Sequence, residues 1–171
     1  MIDFTKIDYL KEGNERQKKA YEIISKYQIF KKLQSFSPIL AGTIPIGIDI
    51  PGSDLDIICE IEKEEDFVYT LHNLLPENTN FTTEKEIIGN EDCIILNTVL
   101  DELPVEVFGQ KIPSTKQNAY RHMIAEYKIL KKEGEEFKQK IIEFKKNGIK
   151  TELAFGILLQ LENPYEDLLK M

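Results

Sequence analysis

Asp54 and Asp56 are separated by one leucine in a run, Leu55-Asp56-Ile57-Ile58, that otherwise reads as buried strand. Residues two apart on a strand share a face, so the two carboxylates project side by side while Leu55 and Ile57 point the other way. Carboxylates held that close repel each other, and a fold tolerates them most readily with a divalent cation between them. Upstream, Gly42-Thr43 forms a turn directly after the apolar Ile39-Leu40-Ala41. Such a turn can bring backbone amides and a hydroxyl against phosphate oxygens with no side chain in the way. Gly42, Thr43, Asp54 and Asp56 together mark a candidate metal and phosphate site.

Two-metal phosphoryl transfer needs a third carboxylate from a neighbouring strand, to complete the ligand set and to accept a proton from the attacking hydroxyl. Glu106 fits that need. It lies between Val105 and Val107 in a run that reads as buried strand, where an acid is unusual unless it faces a partner or a metal. The basic groups best placed to meet phosphate are Lys116 and Arg121, early in the helix that follows. A helix N-terminus favours anions, and arginine can clasp phosphate through two donors. His122 reads as a helix-surface or packing residue, and His72 receives no role. The lysine-rich run 138–150 reads as a solvated helix face, with Phe137, Ile141 and Phe144 as its apolar side.

The elements that must position these groups follow from periodicity and punctuation. Tyr21, Ile23, Ile24, Tyr27 and Phe30 recur at helical spacing after a Gly13-Asn14 start, and Ser37-Pro38 stops that helix. Strands are expected at 39–41 and 55–61, joined by a loop rich in glycine and proline. A helix is expected over 63–75. Three further strands, 81–88, 93–100 and 103–108, read as an antiparallel meander with turns at 89–92 and 101–102. From residue 114 the chain is helical. Ser114-Thr115-Lys116-Gln117 has the form of a capping box, Gly134 breaks the first helix, and helices are expected at 135–146, 151–161 and 165–169. The fold class is α+β, a mixed sheet flanked by helices with a C-terminal helical cap. Residues 1–112 form the α/β core with its N-terminal helix, and residues 113–171 form a helical region packed on it.

A chain of 171 residues with a net charge of −8 lacks the basic surface that an extended nucleic-acid footprint requires. It can still hold a small nucleotide whose charge is carried by a metal. No apolar run approaches the roughly 20 residues needed to span a bilayer. The N-terminus lacks a basic stretch followed by an apolar one, so a cytoplasmic location is expected. Cys59 and Cys93 lie in apolar runs and are expected to be buried free thiols.

Gly42-Thr43, ten residues, Asp54-Leu55-Asp56-Ile57 and the later Glu106 resemble the nucleotidyltransferase superfamily of the DNA polymerase β type. The resemblance spans residues 38–108, and Ser53 before Asp54 fits it as well. The blocks Tyr9-Leu10-Lys11-Glu12-Gly13-Asn14, Gly42-Thr43-Ile44-Pro45-Ile46-Gly47-Ile48-Asp49 and Ala119-Tyr120-Arg121-His122-Met123 are similar to a bacterial family of unknown function related to these enzymes. The first resemblance implies that Gly42 and Thr43 hold a triphosphate. It implies that Asp54, Asp56 and Glu106 bind two Mg²⁺ ions, and that Glu106 helps deprotonate the acceptor hydroxyl. The implied reaction moves a nucleoside monophosphate from an NTP to a hydroxyl acceptor, with pyrophosphate leaving. Thr43 stands where such enzymes usually have serine. Residues 44–52 contain Asp49 but no lysine or arginine. That loop supports the alternative, a non-catalytic nucleotide- or protein-binding member of the same fold.

Overall fold

The computed structural model describes residues 2–171. A single five-stranded sheet organises the chain. Its strands are β1 (Ile39–Ala41), β2 (Leu55–Glu60), β3 (Phe81–Ile88), β4 (Glu91–Leu100) and β5 (Leu103–Gln110), in the spatial order β1-β2-β5-β4-β3. The meander β3-β4-β5 is antiparallel, β1 runs antiparallel to β2, and β2 and β5 run parallel. The parallel pair sets Asp56 directly opposite Glu106.

Alternation along β2 sorts its side chains onto two faces. Leu55, Ile57 and Cys59 join Val105 and Val107 of β5 in a core covered by α1 (Glu15–Lys26), α2 (Ile29–Lys32) and α3 (Glu64–His72). Both cysteines are free and buried, and burial pushes the Cys59 thiol up, out of the nucleophilic range. On the other face, Ile39, Ala41 and Ile58 pack with Met123, Ile141 and Phe155. These last three come from α4 (Asn118–Glu133), α5 (Glu135–Lys146) and α6 (Thr151–Leu159), with α7 (Pro164–Asp167) closing the chain. Each fully buried Ile or Leu contributes roughly 1.5–3 kcal/mol, so both helical layers are fixed firmly to the sheet.

Three local expectations change. The N-terminal helix is interrupted where Gln28 adopts a left-handed conformation between α1 and α2. Its start is well specified: the Asn14 side chain accepts from the Gln17 amide while the Gln17 side chain accepts from the Asn14 amide, each at 2.9 Å. The expected capping box at 114–117 does not form. Residues Ser114–Lys116 make a short 3₁₀ turn and α4 begins at Asn118. Tertiary partners take both capping side chains: Ser114 donates to the Ser37 carbonyl at 2.7 Å, and Gln117 Nε2 donates to the Cys59 carbonyl at 2.8 Å. Finally, the β3–β4 turn shrinks from 89–92 to Gly89-Asn90, because β4 already begins at Glu91; the β4–β5 turn is Asp101-Glu102 as expected, both at positive φ, as a tight two-residue hairpin demands. Asp101 is held there by Lys26, the last residue of α1, and by Tyr27 just after it, at 2.8 and 3.1 Å.

Candidate active site

The face of the sheet turned toward α4–α6 opens into a cleft of about 650 Å³. Gly42, Thr43, Asp56 and Glu106 line its sheet side. Gly42 takes a φ of +77°, and a Cβ at that position would collide with a carboxylate oxygen of Asp56. Only glycine both adopts the turn and lets the aspartate lie against the backbone. The Thr43 carbonyl accepts from the Ile48 amide at 3.1 Å. Among the described residues no hydrogen bond engages the Thr43 hydroxyl, which stays free to meet a ligand.

Asp54 lies one residue ahead of β2, and Asp56 is the second residue of the strand. Burial, then the neighbouring charges of Asp54 and Glu106, push the Asp56 carboxyl up to about 8, and Lys145 opposes them. A hydrogen bond with Asp54 belongs to the same balance. Glu106 is raised as well, by burial first and then by Asp54 and Glu86. Among the described residues, no three His, Cys, Asp or Glu side chains are drawn into a ready ligand cluster. Three hard oxygen donors from adjacent strands are the donor chemistry that suits Mg²⁺. Asp54, Asp56 and Glu106 are donors of that type, and Asp56 feels the charges of both others.

The loop between Gly42 and Asp54 is clamped from two sides. Gln17 Nε2 donates to the Ile44 and Pro45 carbonyls at 3.0 Å each, and Arg16 donates to the Ser53 carbonyl at 2.7 Å. From the opposite side, Lys145 donates to the Ile48 carbonyl at 2.8 Å. Lys145 is only 8% exposed and lies within the electrostatic reach of Asp56, Asp49, Glu126 and Glu152. Burial lowers its pKa, and those acids oppose the shift. Reading residues 138–150 as a solvated face is thus wrong for this lysine. It follows Ile141 by four residues and Phe137 by eight, and so shares their buried stripe. Arg16 and Lys145 are the cations that the loop itself lacks.

The other expected residues divide. Lys116 is exposed and borders the cleft. Arg121 is exposed and bonded to Asn118 within its own helix at 3.3 Å, outside the cleft wall. The Ser53 hydroxyl accepts from the Ile50 amide at 2.9 Å, which holds the turn before Asp54. His122 is half-buried in the cleft wall, with Nε2 2.8 Å from the Tyr165 carbonyl and Nδ1 3.7 Å from Glu152. His72 packs edge-on against Phe81.

The backbone arrangement recurs in solved structures. A Cid1 poly(U) polymerase with MgGTP bound superposes at a TM-score of 0.56, with 10% identity over 81% of this chain and 46% of that one. A cytoplasmic RNA terminal U-transferase matches at 0.53, with 13% identity over 81% and 44%. The polymerase core of TRAMP, an RNA surveillance complex, matches at 0.51, with 12% identity over 95% and 50%. The chain thus spans half the length of these structures or less, and it shares with them the nucleotidyltransferase fold. No curated protein matches it in sequence. The sequence profile of a family described as a domain of unknown function (DUF4269) matches residues 22–171, and the chain belongs to that family.

Proposed function

We propose that this protein is a Mg²⁺-dependent nucleotidyltransferase, moving a nucleoside monophosphate from an NTP to a hydroxyl acceptor. The observation that carries the reading is the β2–β5 register. It sets Asp56 against Glu106 while Gly42 lies against the Asp56 carboxylate. In this reading Asp54, Asp56 and Glu106 would hold two Mg²⁺ ions, which would supply stabilisation of the developing phosphoryl charge. The Gly42 and Thr43 backbone and the Thr43 hydroxyl bind the triphosphate. Lys116 at the cleft edge meets its outer oxygens. Ser53 and Arg16 keep the strand entrance fixed, so that Asp54 stays beside Asp56. Glu106 takes the proton of the acceptor hydroxyl as that oxygen bonds to the α-phosphorus. The bond from the α-phosphorus to its bridging oxygen breaks, and pyrophosphate leaves with the electron pair.

The alternative, a binding member without catalysis, draws on the loop 44–52, which has no lysine or arginine. Calorimetric titration of each NTP with Mg²⁺, followed by a pyrophosphate assay with candidate acceptors, separates the two. The enzyme reading expects Mg²⁺-dependent binding and pyrophosphate release, both lost in Asp54→Asn and Asp56→Asn. Binding without pyrophosphate from any acceptor pool would leave the binding module standing.

A further inference from the structure

Across the cleft from the sheet carboxylates stands a wall built by α4 and α6. Ala119, His122, Met123 and Glu126 recur at the spacing that places them on one face of α4, and all four line the cleft. Thr151 and Glu152 of α6 continue the wall. Glu126 is 4% exposed, yet among the described residues no hydrogen bond or ion pair reaches its carboxylate. Gln117 is 1% exposed and lines the same wall. Its Nε2 is committed to the Cys59 and Ile112 carbonyls, which leaves Oε1 buried without a donor. Buried acceptors are ordinarily satisfied, and leaving one unpaired is costly. Gln117 Oε1 is such an acceptor in this wall, and Glu126 adds a carboxyl that lines the same cleft.

Charge narrows the class. Glu126 and Glu152 act on each other here, and Lys145 acts on both without closing an ion pair with either. Burial, then Glu152, push the Glu126 carboxyl up to about 8, and Lys145 pulls the other way. An approaching cation would restore its charge. The pairing of two acids, Glu126 and Glu152, in one wall favours a cation over a neutral polyol.

We propose that this helical wall is a subsite for a protonated amine, with the ammonium donating to the carboxylate of Glu126. Gln117 Oε1 and Glu152 supply the remaining acceptors. The occupant is a small molecule carrying both an amine and a hydroxyl, the amine held by α4 and α6 and the hydroxyl left toward the sheet. Calling it the acceptor rests on the nucleotidyl-transfer reading above, but binding of the amine does not.

The test is a carboxyl-¹³C NMR titration of the full chain labelled at glutamate. The Glu126 signal is assigned by its loss in Glu126→Gln, or in Glu126→Asp should the first variant fail to fold. 4-Amino-1-butanol is expected to shift that signal, and 1,4-butanediol at the same concentration is expected to leave it in place. Glu126→Gln should weaken amine binding about tenfold, read from the Glu152 signal. A Glu126 signal unmoved by the amine, or moved equally by the diol, overturns the proposal. The amine titration is repeated in Asp56→Asn, beside a Mg·ATP titration of the wild type. Amine binding that persists where Mg·ATP does not bind would refute the nucleotide reading alone. Mg·ATP binding with a silent Glu126 would refute the amine subsite alone.

Discussion

The two walls of the cleft hold acids by different means. On the sheet side, Asp56 and Glu106 are placed by backbone hydrogen bonds between parallel strands, so their spacing is set by the ladder and cannot relax by side-chain repacking. On the helical side, Glu126 and Glu152 are placed by the packing of α4 and α6, and small shifts of either helix change their separation. Geometry that must be held to a fraction of an ångström belongs on the first kind of scaffold. Groups that recognise a particular ligand can sit on the second, where a substitution retunes the pocket without disturbing the ladder. The cleft thus divides into a rigid wall, where the proposed chemistry would sit, and an adaptable wall, where the proposed recognition would.

The largest expected effect tests the rigid wall. Asp56→Asn should reduce pyrophosphate release on the order of 10³-fold. It should also raise the melting temperature at pH 7, since a neutral side chain ends the conflict with Asp54 and Glu106. A variant that loses stability along with activity would mean that Asp56 is structural.

The next test addresses the recognition wall through pH. Burial first, and then Glu152, push the Glu126 carboxyl up to about 8 from the ordinary 4.5, and Lys145 opposes them. Between these values the folded state binds more protons than the unfolded one. The contribution of Glu126 to stability is therefore complete below about pH 4.5 and declines as pH rises toward 8. The decline should amount to a few kcal/mol. Urea unfolding across that range should show the slope, and Glu126→Gln should remove the Glu126 share of it, leaving the share that Asp56 contributes through its own raised pKa. An unchanged slope would move the responsible group elsewhere.

Gly42→Ala should cost about 2 kcal/mol in chemical denaturation, because a side chain at positive φ is strained and collides with Asp56. Lys145→Met should cost about 1–2 kcal/mol, having lost the bond to the Ile48 carbonyl. It should raise KM for the nucleotide more than it lowers kcat, since the loop is loosened rather than the carboxylates. The smallest effect belongs to Arg121→Ala. An exposed side chain outside the cleft should change stability by no more than about 0.5 kcal/mol and leave nucleotide affinity unchanged.

The rigid wall was the more legible of the two in the sequence. Period-two alternation put Asp54 and Asp56 on one face, and an acid between two valines flagged Glu106. The adaptable wall escaped because its signals are tertiary. Glu126 falls in the stripe of Met123 and Leu130, and an acid in an apolar stripe was a readable anomaly that the helix's overall pattern masked. Lys145 was hidden inside a lysine-rich run, where only its phase with Ile141 distinguishes it. The capping box at Ser114 failed for a related reason. The Ser37 and Cys59 carbonyls, far away in the chain, compete for the same side chains and win. The β3–β5 meander was readable because its turns are local, whereas the parallel pairing of β2 with β5 has no local sequence signal.

That parallel pairing has a consequence for how the molecule comes to exist. Asp56 and Glu106 are roughly fifty residues apart in the chain, and closing so long a loop costs entropy before the contact returns any stability. The hairpins β3–β4 and β4–β5 can zip first, each from its own turn. The strand carrying the aspartates must then dock onto a preformed edge, driving like charges together as it does so. Such an order of assembly would leave the most repulsive contact of the sheet until after its hairpins have formed.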